Sequence, residues 1–160
     1  MDELELYTRQ IGSLIARVVP AVEGLDATQL NWRPAPEMNS TYIIAAHMLG
    51  NIEAWTLGTV CGQDVDRDRV AEFSASGADG AELAAAAGDL KARVEAALGA
   101  LAPGVLGEIR EPLPLHWGTG TPRPLSVRQL LLSAIVHNAS HAGHLEVTRE
   151  LAVANAAHGG

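Results

Sequence analysis

The chain has 160 residues, 48% of them apolar, a formal net charge of −8 and a single cysteine. That length can bury one core without disulfide staples, so one domain is expected, and lone-cysteine usage fits a reducing compartment. The acidic balance argues against nucleic acid, whose phosphates select basic patches, and no apolar run reaches the ~20 residues of a membrane span. The opening MDELELYTRQ lacks the basic start and continuous apolar stretch of a secretion signal. The expectation is a cytoplasmic protein with neither nucleic acid nor membrane as a partner.

Leu4, Ile11, Leu14, Ile15, Val18 and Val22 recur at three- and four-residue steps and predict an amphipathic first helix that Pro20 ends or kinks. Gly24 opens a connection through Leu25 to Thr28, and the two prolines of Leu30-Asn-Trp-Arg-Pro-Ala-Pro36 predict an extended loop anchored by Trp32. A second helix runs from Asn39 or Ser40 to about Gly58 or Cys61, with Ile43, Ile44, His47, Ala54 and Trp55 on one side and Glu53 pointing away.

Cys61 has no basic neighbour in sequence to lower its pKa and reads as structural. The stretch 62–80 reads as a solvated connection. Asp64 and Asp66 match only part of a calcium loop and lack its closing Glu. Asp79 and Glu82 predict a capping box for a third helix, whose stripe of Leu83, Ala87, Leu90, Val94, Leu98 and Leu101 carries no metal-binding residue type. Pro103 and Gly104 stop it. The stretch 111–124 is too rich in proline and glycine for a helix, and such connections often carry function. Within it His116 and Trp117 read either as a pocket mouth or as an exposed histidine beside a packed tryptophan.

The last helix starts after Pro124, with Ser126 and Gln129 as a capping box. His137, His141 and His144 fall at i, i+4 and i+7, on one stripe with Val127, Leu130, Ala134, Leu145 and Ala152, while Arg128, Glu146 and Glu150 sit opposite. The three histidines are therefore expected to turn inward. Buried ring nitrogens need partners, because an unpaired one costs about 1–3 kcal/mol. Two readings follow: histidines hydrogen-bonded in the core, or a shared metal ion, toward which His at i and i+4 can point and for which inward-facing His47 would be the third ligand. The tail after Ala152 reads as fraying, which removes His158 from the candidates. Together the elements predict an all-α four-helix bundle with long connections, a class that builds metal sites between facing helices. The domain spans 1–152, with 153–160 a flexible tail.

Leu30-Asn-Trp-Arg-Pro-Ala-Pro-Glu leading into the helix of His47, together with His137-Asn-Ala-Ser-His141-Ala-Gly-His144-Leu-Glu-Val-Thr-Arg-Glu, resembles the DinB-like (DinB/YfiT) superfamily, which includes mycothiol-dependent isomerases and bacillithiol transferases. The resemblance spans residues 30–151. It implies a four-helix bundle holding a divalent metal, commonly zinc or nickel, through His47, His137 and His141. His144 would then stand behind the ligands or line the pocket, joined there by Trp55 and Trp117, with the stretch of Trp117 and Gly118 also similar to some relatives. The implied activity is a metal-dependent S-transferase or isomerase that uses a low-molecular-weight thiol on a small electrophilic substrate.

Two alternatives stand beside it: a non-catalytic, metal-binding, stress-associated protein, and a metal-dependent hydrolase. Against a protease, Asn138 stands where the H-E-x-x-H motif has its Glu base. Leu132 and Ile135, apolar but off the histidine stripe, cover either a helix neighbour or a subunit contact, and a homodimer is expected.

Overall fold

The computed structural model describes residues 2–117 and 121–158. Helix α1, Glu3–Ala16, begins where the Asp2 carboxylate accepts the Glu5 N–H, and α2, Val18–Val22, continues it after a break at Arg17. Pro20 explains the break, since it lacks an N–H and its ring crowds the carbonyl four residues back, at Ala16. The expected plain connection after Gly24 instead contains a short helix, α3, Ala27–Asn31, closed by a reciprocal Asp26–Gln29 capping box. Extended chain starts only at Trp32.

Helix α4, Thr41–Ile52, is capped by the Ser40 hydroxyl and passes without a break into π-helical turns over Glu53–Val60. There the Cys61 N–H reaches back five residues to the Thr56 carbonyl at 2.9 Å. The stretch 62–80 is not merely solvated: it carries α5, Arg69–Glu72, packed against α4, and buries Arg67.

Helix α6, Ala81–Gly99, buries the expected stripe of Leu83, Ala87, Leu90, Val94 and Leu98. Its predicted capping box is absent; Asp79 instead accepts the Ala81 N–H at 2.9 Å. A short antiparallel ladder pairs β1, Ile109–Arg110, with β2, Leu125–Ser126, and closes the base of the long connection. Helix α7, Val127–Ala157, opens with the Ser126–Gln129 capping box and runs five residues beyond Ala152.

The bundle is built from α1–α2, α4 with its π-helical extension, α6 and α7, with α1 lying along α6 and α7, and α4 on α7. At its centre Ile11, Ile15, Leu30, Ile44, Met48, Ile52, Leu57, Leu98, Leu130 and Leu145 are fully buried. Each such side chain contributes about 1.5–3 kcal/mol by leaving water. Ile135 packs against this core, whereas Leu132 is exposed. No helix among the described residues is long and apolar enough to cross a membrane.

Candidate metal centre and adjoining cleft

The packing of α4 on α7 brings His47, His137 and His141 together, with one nitrogen from each lying within 4.8 Å of the others. The Nε2 atoms of His47 and His137 are 3.4 Å apart, and the rings of His137 and His141 are centred 4.5 Å from each other. His47 is buried, His141 half-buried and His137 exposed, so the cluster opens to the surface on the α7 side.

The inward face of α7 is not the histidine stripe. It is formed by Leu130, Ala134, Asn138, Ala142, Leu145, Thr148 and Ala152, centred near Asn138. At about 100° per residue the histidines lie to one side of that face, His141 nearest and His144 furthest. His144 is accordingly exposed and outside the cluster.

A carboxylate missed by the sequence reading sets the geometry of His47. Its Nδ1 lies 2.8 Å from Oε2 of Glu72, and Arg67 grips the same carboxylate through Nε at 2.7 Å and Nη2 at 2.9 Å. With the Nδ1 proton donated to Glu72, Nε2 keeps its lone pair toward His137 and His141. Burial pushes the Glu72 carboxyl up, but the hydrogen bonds and charges of His47 and Arg67 outweigh it and hold the group below the usual carboxylate value. Gly50 makes this possible: a Cβ at that position of α4 would collide with Oε1 of Glu72.

Burial, helped by the neighbouring His137, His47 and His144, depresses His141 to about 4. His137 is lowered by burial first and then by His47, Arg67 and Arg69. Both imidazoles are therefore neutral at pH 7, as metal ligation requires. Two nitrogens on one tetrahedral cation at about 2.05 Å lie about 3.3 Å apart, and the 3.4 Å between His47 and His137 matches that spacing. The donor set of three imidazoles fits a divalent transition-metal ion, and suits zinc, nickel, copper and iron alike.

Beside the cluster lies a cleft of about 370 Å3, lined by Asn51, Trp55, Arg69, Trp117, Ser133, Ala134 and His137. Trp55 and Trp117 stack with ring centroids 5.6 Å apart and an interplanar angle of 25°, and the Trp55 indole N–H donates to the His116 carbonyl at 2.9 Å. Trp55 and Trp117 both line this cleft, while Gly118 falls outside the described residues. A larger cleft of about 580 Å3, between the start of α1 and the segment 98–106, contains none of these residues.

The remaining candidates have structural partners. His116 is neither exposed nor at a pocket mouth: it is 1% exposed, its Nδ1 lies 3.0 Å from the Thr59 hydroxyl, and burial lowers its pKa. Its ring lies against Gly58, where a Cβ would stand 2.5 Å from Cε1. Asn138 points into the bundle, donating to Asn51 Oδ1 and the Ala134 carbonyl, both at 2.8 Å. Glu53 and Glu146 face away and pair with Arg93 and Arg17. Burial pushes the Cys61 thiol up to about 11, which keeps it protonated and unreactive at neutral pH.

No curated protein matches the chain significantly in sequence. Solved structures share its fold. One is a DinB-like protein from Bacillus cereus ATCC 10987, with TM-score 0.64 and 16% identity, covering 91% of this chain and 85% of that one. Another is a conserved protein from Enterococcus faecalis, with TM-score 0.66 and 19% identity, covering 96% and 99%. The model of the mycothiol-S-transferase family matches residues 9–153, a span that holds the three clustered histidines and both cleft tryptophans, and the chain belongs to that family, within the DinB/YfiT-like superfamily.

Proposed function

We propose that His47, His137 and His141 hold one divalent metal ion, zinc or nickel, and that the protein is a metal-dependent enzyme using a low-molecular-weight thiol to transfer to, or isomerise, a small electrophile. The observation that carries this reading is the three-imidazole cluster opening beside an aromatic cleft, in a chain of a thiol-transferase family. A bound cation with an open position would supply positive charge that lets a thiol lose its proton near neutral pH.

The protein's own residues do the rest. Glu72 and Arg67 hold His47 in one orientation, and neutral His137 and His141 offer lone pairs without first shedding protons. The stacked Trp55 and Trp117 form a flat apolar wall that can pack an unsaturated substrate and keep water from it. A protease of the H-E-x-x-H type is disfavoured because the residue after His137, Asn138, is turned to Asn51 in the bundle interior and offers no base.

A thiol cosubstrate is kept reduced in the cytoplasm, which is where this reading places the protein. It also includes self-association through the exposed apolar side of α7. Calorimetric titration of the metal-loaded protein with mycothiol tests the central step. Binding that weakens by about tenfold or more on metal removal is expected from a sulfur held by the cation. Equal binding with and without metal, or none at all, contradicts it.

A further inference from the structure

Four large apolar side chains of α7, Leu132, Val136, Val147 and Leu151, stand exposed along one side of the helix. Their spacing is symmetrical. Leu132 and Leu151 are equally far from the point midway between Ser140 and Gly143, and so are Val136 and Val147. Read from either end, the row Leu132, Val136, Ser140, Gly143, Val147, Leu151 runs large, large, small, small, large, large. At about 100° per residue all six fall within a band of roughly 100°. Such a row is complementary to its own copy turned end for end, because a twofold contact sets each residue against its counterpart in the reversed row.

Gly143 gives an independent reason to place a second copy there. Glycine weakens a helix interior relative to alanine, yet a Cβ at Gly143 would meet nothing within 4 Å, so packing inside the chain does not call for it. A backbone approaching from outside does. Gly88 of α6 also faces open space, but that helix exposes no large apolar side chain beside it. The charges agree with the symmetry. Glu150, which borders the row, falls opposite Ser133 of the reversed copy and on the flank of its Arg128, so it approaches a cation and not a second carboxylate. A stable interface takes about 800 Å2 from each partner, and a row about 28 Å long on a helix about 10 Å wide supplies less than that. The contact therefore takes in the flanks of the row, where exposed Ser133, His137 and His144 lie on one side and Ala139 and Glu150 on the other.

We propose that two copies of the chain pair antiparallel through α7, about a twofold axis that passes between Ser140 and Gly143. Val136 then packs on the partner's Val147, Leu132 lies level with the partner's Leu151, and the helices approach closely at the small pair between them. This fixes the register of the self-association included in the reading above and rests on that part of it. The axis is perpendicular to both helices, so a given flank of α7 faces the same way in both copies. The two clefts therefore open on one face of the pair, and the partner's helix borders the open side of each histidine cluster. His144, exposed in the single chain, comes within about one helical turn of the level of the partner's His137, on that same flank.

The test is disulfide cross-linking of the full chain with oxidised glutathione, in Val136→Cys, Val147→Cys and the double variant, with wild type as the control for native Cys61. The double variant is expected to form covalent dimers, because its cysteines face each other across the axis. Each single variant holds its two introduced cysteines about 16 Å apart, beyond the roughly 7 Å between Cα atoms that a disulfide spans, and should stay about tenfold or more less cross-linked. Gly143→Leu, which meets open space in the single chain, should weaken association about tenfold or more in sedimentation by holding the helices apart. Wild-type dimers with no cross-link in the double variant overturn this register and leave self-association standing. Single variants that link as readily as the double variant overturn it too, as does a Gly143→Leu protein that associates like wild type. A monomeric wild type, with no cross-link in the double variant, ends both readings.

Discussion

Glu72, distant from His47 in sequence, decides which of that histidine's nitrogens faces the cluster. Partners of this kind typically change metal affinity 10- to 100-fold. For Glu72→Gln a loss of about tenfold or more in zinc affinity is therefore expected, read by competition against a chromogenic chelator, and an unchanged affinity would show that His47 needs no such support. The histidines themselves were legible in the sequence because an i, i+4 pair on a strongly helical segment must share a side.

Glu72, Arg67 and Arg69 were not legible, since they sit on a short segment with no periodicity and meet His47 only through tertiary packing. His144 is exposed rather than turned inward for a definite reason: α7 carries Leu132, Ile135, Val136 and Val147 as well as its buried leucines, so apolar residues surround the helix and its inward direction cannot be read from the pattern alone. The true centre of that face, Asn138, is polar. It is buried because Asn51 and a backbone carbonyl satisfy its amide N–H groups.

Among the helices, the caps and breaks written in the sequence acted as expected except the Asp79–Glu82 box, where Gly80 takes the N-cap position of α6 and Asp79 accepts the Ala81 N–H instead. Pro20 breaks the first helix, Ser40 caps α4, and Ser126 with Gln129 starts α7. The short α3 and α5 escaped notice because a helix of four or five residues has too few positions to display a period. The same α7 that supplies two of the clustered histidines leaves Leu132, Val136, Val147 and Leu151 exposed, at 43%, 65%, 53% and 45%, along one side of a single long helix.

A face of that length meeting its own copy about a twofold axis forms a self-complementary apolar contact. Sedimentation at about 10 μM is expected to find a dimer, and Val136→Glu a monomer, because a buried unpaired charge opposes such a contact. A monomeric wild type at that concentration removes the dimer from the account.

The whole molecule couples the cluster to its own stability. His141 titrates near 4 in the folded protein against 6.5 without the fold, and His137 is shifted the same way. Between those values the unfolded chain binds more protons than the folded one, so stability rises with pH and is lost as pH falls through that window. The metal-free protein is therefore expected to lose about 1–2 kcal/mol between pH 7 and 5, after allowance for the partial exposure of the rings, or roughly 2–8 °C in unfolding midpoint. That interval lies above the range in which a carboxylate such as Glu72 gains its proton, so a flat midpoint from pH 7 to 5 would contradict the neutral, desolvated cluster.

Metal bound to the folded state raises the midpoint further. Elemental analysis of untagged protein, comparing wild type with His47→Ala and His141→Ala, shows whether the three histidines hold a metal. About one zinc or nickel per chain is expected from a single three-histidine centre, lost in both variants, because each removes a ligand contributed by a different helix. Wild type that stays metal-free after incubation with zinc and nickel would return the histidines to the role of packed, hydrogen-bonded side chains and end the metalloenzyme reading.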